Sequence, residues 1–336
     1  MKEIILFCQA PKDVQYCLTI YEQQKKECKI SIFVINIEGI YKFIYELNLD
    51  LKQLVYIPIN GFISYKNPLL AVKEFIRLKK IKKKYFCDIS NCNVYFFYTV
   101  FDWITASLVT YLSINNIVTF VGIDNPADQN YRRSFSLYSI SSVISLYLIT
   151  GIKFHFIKHK FGNILNFNYF DYPIVRNNDC FNFNNDSFKK YCYKPELIKP
   201  SIFLFENKQD GYDFFKDYEL TLKVILDILC KKFNVIVKPH PRQGYTKIID
   251  AYSNIEFIPS YIPGEFLDLS EMKYIFGIDT TALATFSKEN PSQVLCLLTL
   301  FEFKDINKKN YQINHLNELS ENKIKYINDL ETLKKL

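Results

Sequence analysis

A histidine held between two prolines is the residue of this sequence best placed to do chemistry. His240 lies within Lys238–Arg242 (KPHPR), directly after the apolar run Val235–Val237. A short apolar run of this kind predicts a buried strand, and proline ends it because proline fixes φ and donates no hydrogen bond. The imidazole is therefore expected on a stiff turn beside the cations of Lys238 and Arg242, where it suits a phosphate. The alternative is a solvated basic turn with a surface histidine.

Two further sets of polar residues follow predicted strands in the same half of the chain. Glu265 comes after the strand Ile255–Ile258, and its carboxylate can accept hydrogen bonds from ribose hydroxyls. Thr280 and Thr281 follow the strand Tyr274–Gly277 and begin a helix, whose N–H groups and hydroxyls make a seat for a phosphate. Taken singly, the glutamate also fits the helix macrodipole and the threonines also fit an N-cap. Together, at the ends of successive strands, the three sets predict one ligand site.

The elements that must position these residues alternate along the chain. Strands and helices alternate from the N-terminus to Phe120 and again from Ile202 onward, which predicts right-handed crossovers and parallel sheets. The polar, turn-rich stretch 177–187 is predicted to be a linker. We therefore predict an α/β protein with two Rossmann-like domains facing a cleft, residues 1–176 and 188–336. Within the first of these domains, the chain from Arg133 to Tyr172 is predicted to be less regular, with a buried helix over 134–150. A C-terminal helix is predicted to begin at Leu316.

Composition excludes several classes of protein. The 336 residues are 49% apolar, which is enough for two cores. Glycine is scarce and neither GxGxxG nor GxxxxGK[ST] occurs, which argues against a Rossmann dehydrogenase and a P-loop enzyme. The nine cysteines form no CxxC and only four histidines occur, so we expect no metal site and predict reduced thiols in a cytosolic protein.

The net charge of +7 indicates attraction to anionic nucleotides, glycans or a membrane surface. The basic run Arg77–Lys84 (RLKKIKKK) is most simply the solvated end of a helix, and contact with a membrane or an anionic acceptor is the alternative. No aromatic residues are interleaved as in a nucleic-acid-binding motif, so we expect no nucleic-acid partner.

These motifs resemble those of the bacterial sialyltransferases of glycosyltransferase family 52, the lipooligosaccharide sialyltransferases. Lys238–Tyr245 (KPHPRQGY) is similar to the family's PHPRQ-x-Y block, which is the most specific of the matches. Tyr261–Leu267 (YIPGEFL) resembles the segment with its acidic residue, and Ile278–Leu283 (IDTTAL) resembles its Ser/Thr motif. Phe154–Ile157 (FHFI) resembles its HYT-like segment, so that the resemblance extends over most of the chain.

The resemblance implies that the two Rossmann-like domains form a GT-B type fold, and that the protein is an inverting, metal-independent glycosyltransferase without a cofactor. Such an enzyme moves a sialic acid, or a related nonulosonic acid, from its CMP donor to a cell-surface glycan such as lipooligosaccharide or capsule. Residues 1–176 would then form the acceptor side and 188–336 would bind the nucleotide sugar. The resemblance permits a homodimer. The enzyme is expected in the cytoplasm, with peripheral contact to the cytoplasmic face of the inner membrane as an option.

The resemblance also assigns roles to residues of the donor site. In the family, the histidine and the Ser/Thr pair hold the phosphate of CMP, and the acidic residue holds the ribose. These roles fall on His240, Thr280, Thr281 and Glu265. Lys238 and Arg242 would add positive electrostatic potential at the phosphate. Negative charge develops on the phosphate oxygen as the sugar leaves, and fixed cations and hydrogen-bond donors stabilise it.

The catalytic base is where the sequence departs from the family. The family's base is an Asp of a DDG motif after a Thr-Phe strand end, whereas here Val121-Gly122 follows Thr119-Phe120. Asp124 is the predicted base and Asp128 the second choice, although both also fit an ordinary turn-rich loop. His155 either lines the cleft or packs in a core. The departure leaves two alternatives open: a GT-B glycosyltransferase that uses another nucleotide sugar such as a UDP-hexose, or a catalytically inactive glycan- or nucleotide-binding homologue.

Overall fold

The chain divides into two compact units, Met1–Lys190 and Tyr191–Leu336, which are described separately. A computed structural model describes residues 2–59, 68–97, 103–120, 132–133, 154–159, 162–167, 175–176, 186–196, 200–206, 214–240, 244–291 and 293–336. Most of the predicted linker 177–187, and all of the helix predicted over 134–150, lie outside these residues. Of the linker, residues 186 and 187 are described, and they begin a 3-10 helix, Asp186–Tyr191.

The first unit contains a six-stranded sheet in the order β3-β2-β1-β4-β5-β9, in which every pair of neighbours is parallel. Its strands are β1 (Lys2–Cys8), β2 (Cys28–Ile35), β3 (Gln53–Ile57), β4 (Asn93–Phe96), β5 (Ile117–Phe120) and β9 (Val175–Arg176). The strands from β1 to β5 are connected by α1 (Pro11–Gln24), α2 (Glu38–Glu46), α3 (Pro68–Tyr85) and α4 (Trp103–Leu112). Helices after each strand cover the sheet, as the alternation in the sequence predicts.

The core of this sheet is built from apolar strands and stacked aromatic rings. Residues 4–8 of β1 and 32–35 of β2 are continuous apolar runs with buried side chains, which is typical of parallel strands buried on both faces. The ring of Phe7 stacks on Phe33 at 5.4 Å and on Phe96 at 4.4 Å between centroids. Three neighbouring strands are thereby joined through one layer of aromatic side chains.

A second, antiparallel sheet of the first unit falls in the stretch that the sequence predicts to be less regular. Its strands are β6 (Arg132–Arg133), β7 (Phe154–His159) and β8 (Gly162–Phe167), in that order. Strands β7 and β8 pair along their full length, with Phe154 opposite Phe167 and His159 opposite Gly162. The prediction of an irregular region was therefore wrong for these residues, because a local hairpin supplies backbone partners without a long apolar run.

The second unit repeats the topology of the first with the strand order β12-β11-β10-β13-β14-β15, again all parallel. Its strands are β10 (Ser201–Glu206), β11 (Asn234–Pro239), β12 (Ile255–Phe257), β13 (Tyr274–Gly277), β14 (Val294–Cys296) and β15 (Lys325–Tyr326). Its helices are α5 (Tyr218–Leu229), α6 (Ala282–Glu289), α7 (Ile306–Ser320) and α8 (Leu330–Lys335). The order reverses between β10 and β13, and such a switch point is where α/β sheets bind ligands.

Two local predictions in the second unit need correction. Strand β11 continues through Lys238 to Pro239 before it ends, because Pro239 pairs in register with Glu206 at the end of β10. Helix α7 begins at Ile306 rather than at Leu316, because the side chain of Asp305 accepts a hydrogen bond from the backbone N of Asn307 at 2.9 Å. That N-cap starts the helix well before its first fully buried residue.

Candidate functional site

The carboxyl edge of the second sheet brings together the ends of three neighbouring strands. His240 follows β11, Glu206 ends β10, and Thr280 follows β13. Within the sheet, Glu206 lies opposite Pro239, and Phe205 lies opposite Gly277. Parallel strands are spaced about 4.8 Å apart, so the ends of β11 and β13 are about 10 Å apart with β10 between them. The predicted histidine and threonine loops therefore flank the switch point of this sheet.

The turn that carries His240 closes on itself directly after β11. The backbone N of His240 donates to the carbonyl of Gly244 at 3.0 Å, and the N of Gly244 donates to the carbonyl of His240 at 2.8 Å. Gly244 has a φ of +75°, in the left-handed region that favours glycine. The half-buried histidine is thus fixed at the strand end, as the flanking prolines predict. Arg242 lies within 241–243, outside the described residues.

A buried glutamate attaches this turn to the centre of the sheet. Glu206 is 0% exposed and accepts three hydrogen bonds: from Thr246 N at 3.0 Å, from Thr246 Oγ1 at 2.6 Å and from Tyr218 Oη at 3.2 Å. Burial raises the pKa of this carboxyl, and the three donors act against that rise. Sequence reasoning missed Glu206, although an acid that ends an otherwise apolar strand, SIFLFE, was a signal for it.

Lys238 is buried rather than solvated. Its side chain is 4% exposed, and its ammonium donates to the carbonyls of Pro239 at 2.8 Å and Ser260 at 3.0 Å. Burial lowers the pKa of Lys238 to about 8, and the negative charge of Glu265 opposes that shift. Two of the three N–H donors of the ammonium are thus bound to backbone carbonyls, which connects β11 to the segment before Glu265.

The turn with Glu265 packs against the start of helix α6. A Cβ at Gly264 would lie 3.4 Å from Cε1 of Phe205 and 3.6 Å from Cβ of Ala282, the first residue of the helix. A Cβ at this position would make only ordinary van der Waals contacts, and the two distances show that the acidic turn lies directly against the start of α6. Glu265 itself is half-buried, on the 3-10 helix Gly264–Phe266.

The two threonines differ in their surroundings. Thr280 is half-buried, and its hydroxyl accepts a 3.4 Å hydrogen bond from the N of Ala282. Thr281 is the N-cap of α6, is exposed, and its side chain caps no backbone N–H of the helix. Burial raises the pKa of the preceding Asp279 to about 6. This segment offers a hydroxyl and the N-terminus of a helix to an anion, directly after the half-buried Asp279.

The switch point of the first sheet carries a second polar cluster. At the end of β1, Oδ2 of Asp13 accepts hydrogen bonds from the backbone N of Gln9 at 2.7 Å and of Ala10 at 2.9 Å. Nε2 of Gln9 donates to Oγ1 of Thr105 at 2.6 Å. Asp13 is 3% exposed, and burial raises its pKa to about 7. Asp13 lies in the first turn of α1, and nothing in the sequence around it indicates this burial.

The residues predicted to act from the first half are placed only in part. Asp124 and Asp128 lie in 121–131, outside the described residues. His155 lies on β7 opposite Asn166, in the antiparallel sheet rather than in the parallel one. The bases of the predicted mechanism therefore stay predictions.

Three observations bear on metals, membranes and thiols. The part of the chain that the structure describes has no group of three or more His, Cys, Asp and Glu placed to hold a metal ion. Every helix within the described ranges is too short or too polar to cross a membrane. The cysteines in those ranges are free thiols: Cys8, Cys17, Cys28, Cys87, Cys92, Cys192, Cys230 and Cys296.

Comparison with known proteins relates the chain to others through its fold. No protein-family model and no curated protein matches the sequence. The structure of CalG4, the calicheamicin glycosyltransferase, matches with a TM-score of 0.50 and 9% identity over 99% of this chain and 88% of that chain. A UDP-N-acetylglucosamine 2-epimerase has a TM-score of 0.45 and 12% identity, over 100% of this chain and 85% of its own. MurG from Acinetobacter baumannii has a TM-score of 0.38 and 10% identity, over 100% and 89%.

The likeness to CalG4, with the two parallel sheets, gives the fold class. The chain has two Rossmann-like α/β units of the GT-B type, which confirms the class predicted from the alternating strands and helices. At such low identity the likeness is one of fold alone.

Proposed function

We propose that this protein is a glycosyltransferase that moves a sialic acid, or a related nonulosonic acid, from its CMP donor to a cell-surface glycan such as lipooligosaccharide or capsule. The observation that carries the proposal is the convergence of Lys238–His240, Gly264–Glu265 and Thr280–Thr281 on one sheet edge. A GT-B-type fold supports glycosyl transfer as the class of reaction. The family resemblance of the three motifs supports CMP as the carrier of the donor sugar.

The proposed chemistry uses the protein's own donors to stabilise the leaving group. The phosphate of CMP lies between the imidazole of His240 and the hydroxyls of Thr280 and Thr281, and Glu265 accepts hydrogen bonds from the ribose. As the bond from the sugar to the phosphate oxygen breaks, negative charge on that oxygen is met by the imidazolium and by helix N–H groups. Lys238 contributes positive electrostatic potential at the phosphate, because a pKa of about 8 leaves its buried ammonium charged at neutral pH.

The acceptor is activated from the first unit in this proposal. Asp124, with Asp128 as the second choice, takes the proton of the acceptor hydroxyl, whose oxygen forms the new bond to the anomeric carbon. A base must lie within about 3 Å of that hydroxyl. One displacement of this kind inverts the anomeric centre. We propose a cytoplasmic enzyme, and both peripheral contact with the cytoplasmic face of the inner membrane and a homodimer are compatible with this proposal.

A second candidate is favoured by the residues after β5. Val121 and Gly122 stand where the resembled family has two acids, which weakens the assignment of its donor. The second candidate is therefore a GT-B glycosyltransferase that uses another nucleotide sugar, such as a UDP-hexose. A catalytically inactive glycan- or nucleotide-binding homologue is the remaining alternative.

Isothermal titration of the full chain with CMP and with UDP separates these candidates. We expect CMP to bind at least about tenfold more tightly than UDP, a difference of about 1.4 kcal/mol. Tighter binding of UDP supports the second candidate and contradicts the first. Binding of CMP without consumption of any CMP-sugar over a panel of acceptors supports the inactive homologue.

A substitution at the proposed base tests the other half of the reaction. Asp124→Asn is expected to lower turnover by about a hundredfold or more, because the acceptor hydroxyl loses its proton acceptor, while CMP binds as in the wild type. Asp128→Asn is the matched variant, with a smaller expected loss. Full activity of Asp124→Asn together with a large loss in Asp128→Asn would transfer the role to the second carboxylate.

A further inference from the structure

We propose that one face of helix α3 docks the protein on an anionic lipid bilayer. The exposed side chains at the C-terminal end of this helix, here named the basic face, are almost all cationic: Lys73, Arg77, Lys79, Lys80, Lys83 and Lys84. At about 100° per residue they fall within an arc of about 160° around the helix axis. Between positions 73 and 84, the one other residue in that arc is Ile76, which is 52% exposed.

The opposite side of α3 is held against the fold, so the basic face has a fixed orientation. Leu78 is 1% exposed and belongs to the hydrophobic core of the first unit. Nζ of Lys82 donates to Oγ of Ser107 on α4 at 2.6 Å, and this ammonium lies 5.3 Å from the centre of the Tyr111 ring. Lys82, the one lysine of the run that points into the protein, therefore attaches α3 to α4. The cations of the basic face are exposed to solvent.

Three lysines of the basic face, Lys79, Lys80 and Lys83, form no ion pair with the described residues, whereas Lys25, Lys52 and other exposed lysines do. The cations extend over 12 residues, or about 17 Å of helix, so their field adds up over one side of the first unit and favours an anionic partner of similar extent.

The shape and composition of this face favour a bilayer over a nucleic acid. No aromatic side chain lies in the arc, and aromatic rings are what single-stranded nucleic acids stack on. Lys and Arg next to an anionic leaflet each add attraction, and an apolar side chain among them can enter the boundary between headgroups and acyl chains. Ile76 is placed for that insertion because it is exposed in the middle of the cations.

The test is sedimentation of the full chain with vesicles, which needs no enzymatic activity and so is independent of the proposed function. We expect binding to phosphatidylcholine vesicles that contain a third of phosphatidylglycerol, weaker binding at high salt, and none to phosphatidylcholine alone. The variant Lys79→Glu, Lys80→Glu, Lys83→Glu is expected to lose at least about tenfold in vesicle affinity.

The matched control makes the same change of charge elsewhere, at the exposed lysines of the second unit Lys231→Glu, Lys308→Glu and Lys325→Glu. It is expected to keep its vesicle affinity within about threefold, and both variants are expected to unfold at the wild-type temperature. If the two variants lost vesicle affinity equally, binding would depend on the net charge of the protein and not on the basic face, which would overturn the proposal. Binding of duplex DNA or heparin as tightly as of anionic vesicles would overturn it as well.

Discussion

Thr246 is joined to Glu206 by two hydrogen bonds, one from its backbone N at 3.0 Å and one from its hydroxyl at 2.6 Å. Glu206 ends the central strand β10, and Thr246 follows Gly244, at which the turn of His240 closes. The buried side chain of Glu206 therefore holds the loop that carries His240, the residue proposed to bind the phosphate, against the middle of the sheet.

Thr246→Val tests this connection. The valine keeps the volume and the backbone bond but removes the hydroxyl, so we expect a loss of about 1 kcal/mol in the free energy of unfolding and weaker binding of CMP. Thr246→Ser, which keeps the hydroxyl, is expected to restore both. Urea unfolding and isothermal titration measure the two effects. An unchanged CMP affinity in Thr246→Val would show that the bond between Thr246 and Glu206 does not support the donor site.

His240→Ala is expected to lower turnover by about a hundredfold or more, because the departing phosphate loses its imidazole. The melting temperature is expected to stay unchanged, since the imidazole is half-buried at a sheet edge. His315→Ala on α7, whose ring stacks on Tyr311, is the matched control with full turnover. Equal turnover of the two variants would remove His240 from the mechanism.

Two glycines beside α6 predict costs of different size for the same substitution. A Cβ at Gly277 would lie 2.8 Å from Cγ2 of Thr280 and 2.9 Å from Leu283, so Gly277→Ala must displace these two side chains and is expected to cost about 1–3 kcal/mol. A Cβ at Gly264 meets its nearest atom at 3.4 Å. Gly264→Ala is therefore expected to cost less than about 1 kcal/mol. Thermal unfolding of both variants measures the difference, and equal costs would contradict the close approach at Gly277.

The buried carboxyl of Asp13 predicts a pH dependence of stability. Its pKa is about 7 in the folded protein against an ordinary value of 3.8, so between these values the folded state binds a proton that the unfolded state has released. The contribution of this group to stability therefore falls as pH rises from about 4 to about 7, by up to about 1.4 kcal/mol per pH unit, and is constant above.

Asp13→Asn removes the titration while it keeps an oxygen for the N–H groups of Gln9 and Ala10. The free energy of unfolding of the variant, relative to the wild type, is expected to rise between about pH 4 and about pH 7. Urea unfolding over that range measures the difference. Parallel curves for the two proteins would show that Asp13 is ionised in the folded state throughout.

Much of the fold follows from local signals. The apolar runs of β10, β11 and β13 and the glycines and prolines after them identify the strands and their ends, because burial and backbone restriction act within a few residues. The hairpin β7–β8 and the short edge strand β15 have no such runs. Their existence depends on pairing with neighbours, which a single stretch of sequence does not encode.

The candidate site, like the fold, depends partly on local sequence signals and partly on tertiary contacts. Sequence spacing alone puts His240, Glu265 and Thr280 after predicted strands, and the prolines beside His240 stiffen its turn. Only the tertiary structure decides that β11 and β13 flank β10, that the buried Lys238 donates to the carbonyl of Ser260, and that Glu206 reaches Thr246, 40 residues further along the chain. Strand order and burial are set by contacts between distant segments, so they become determined only when the sheet assembles.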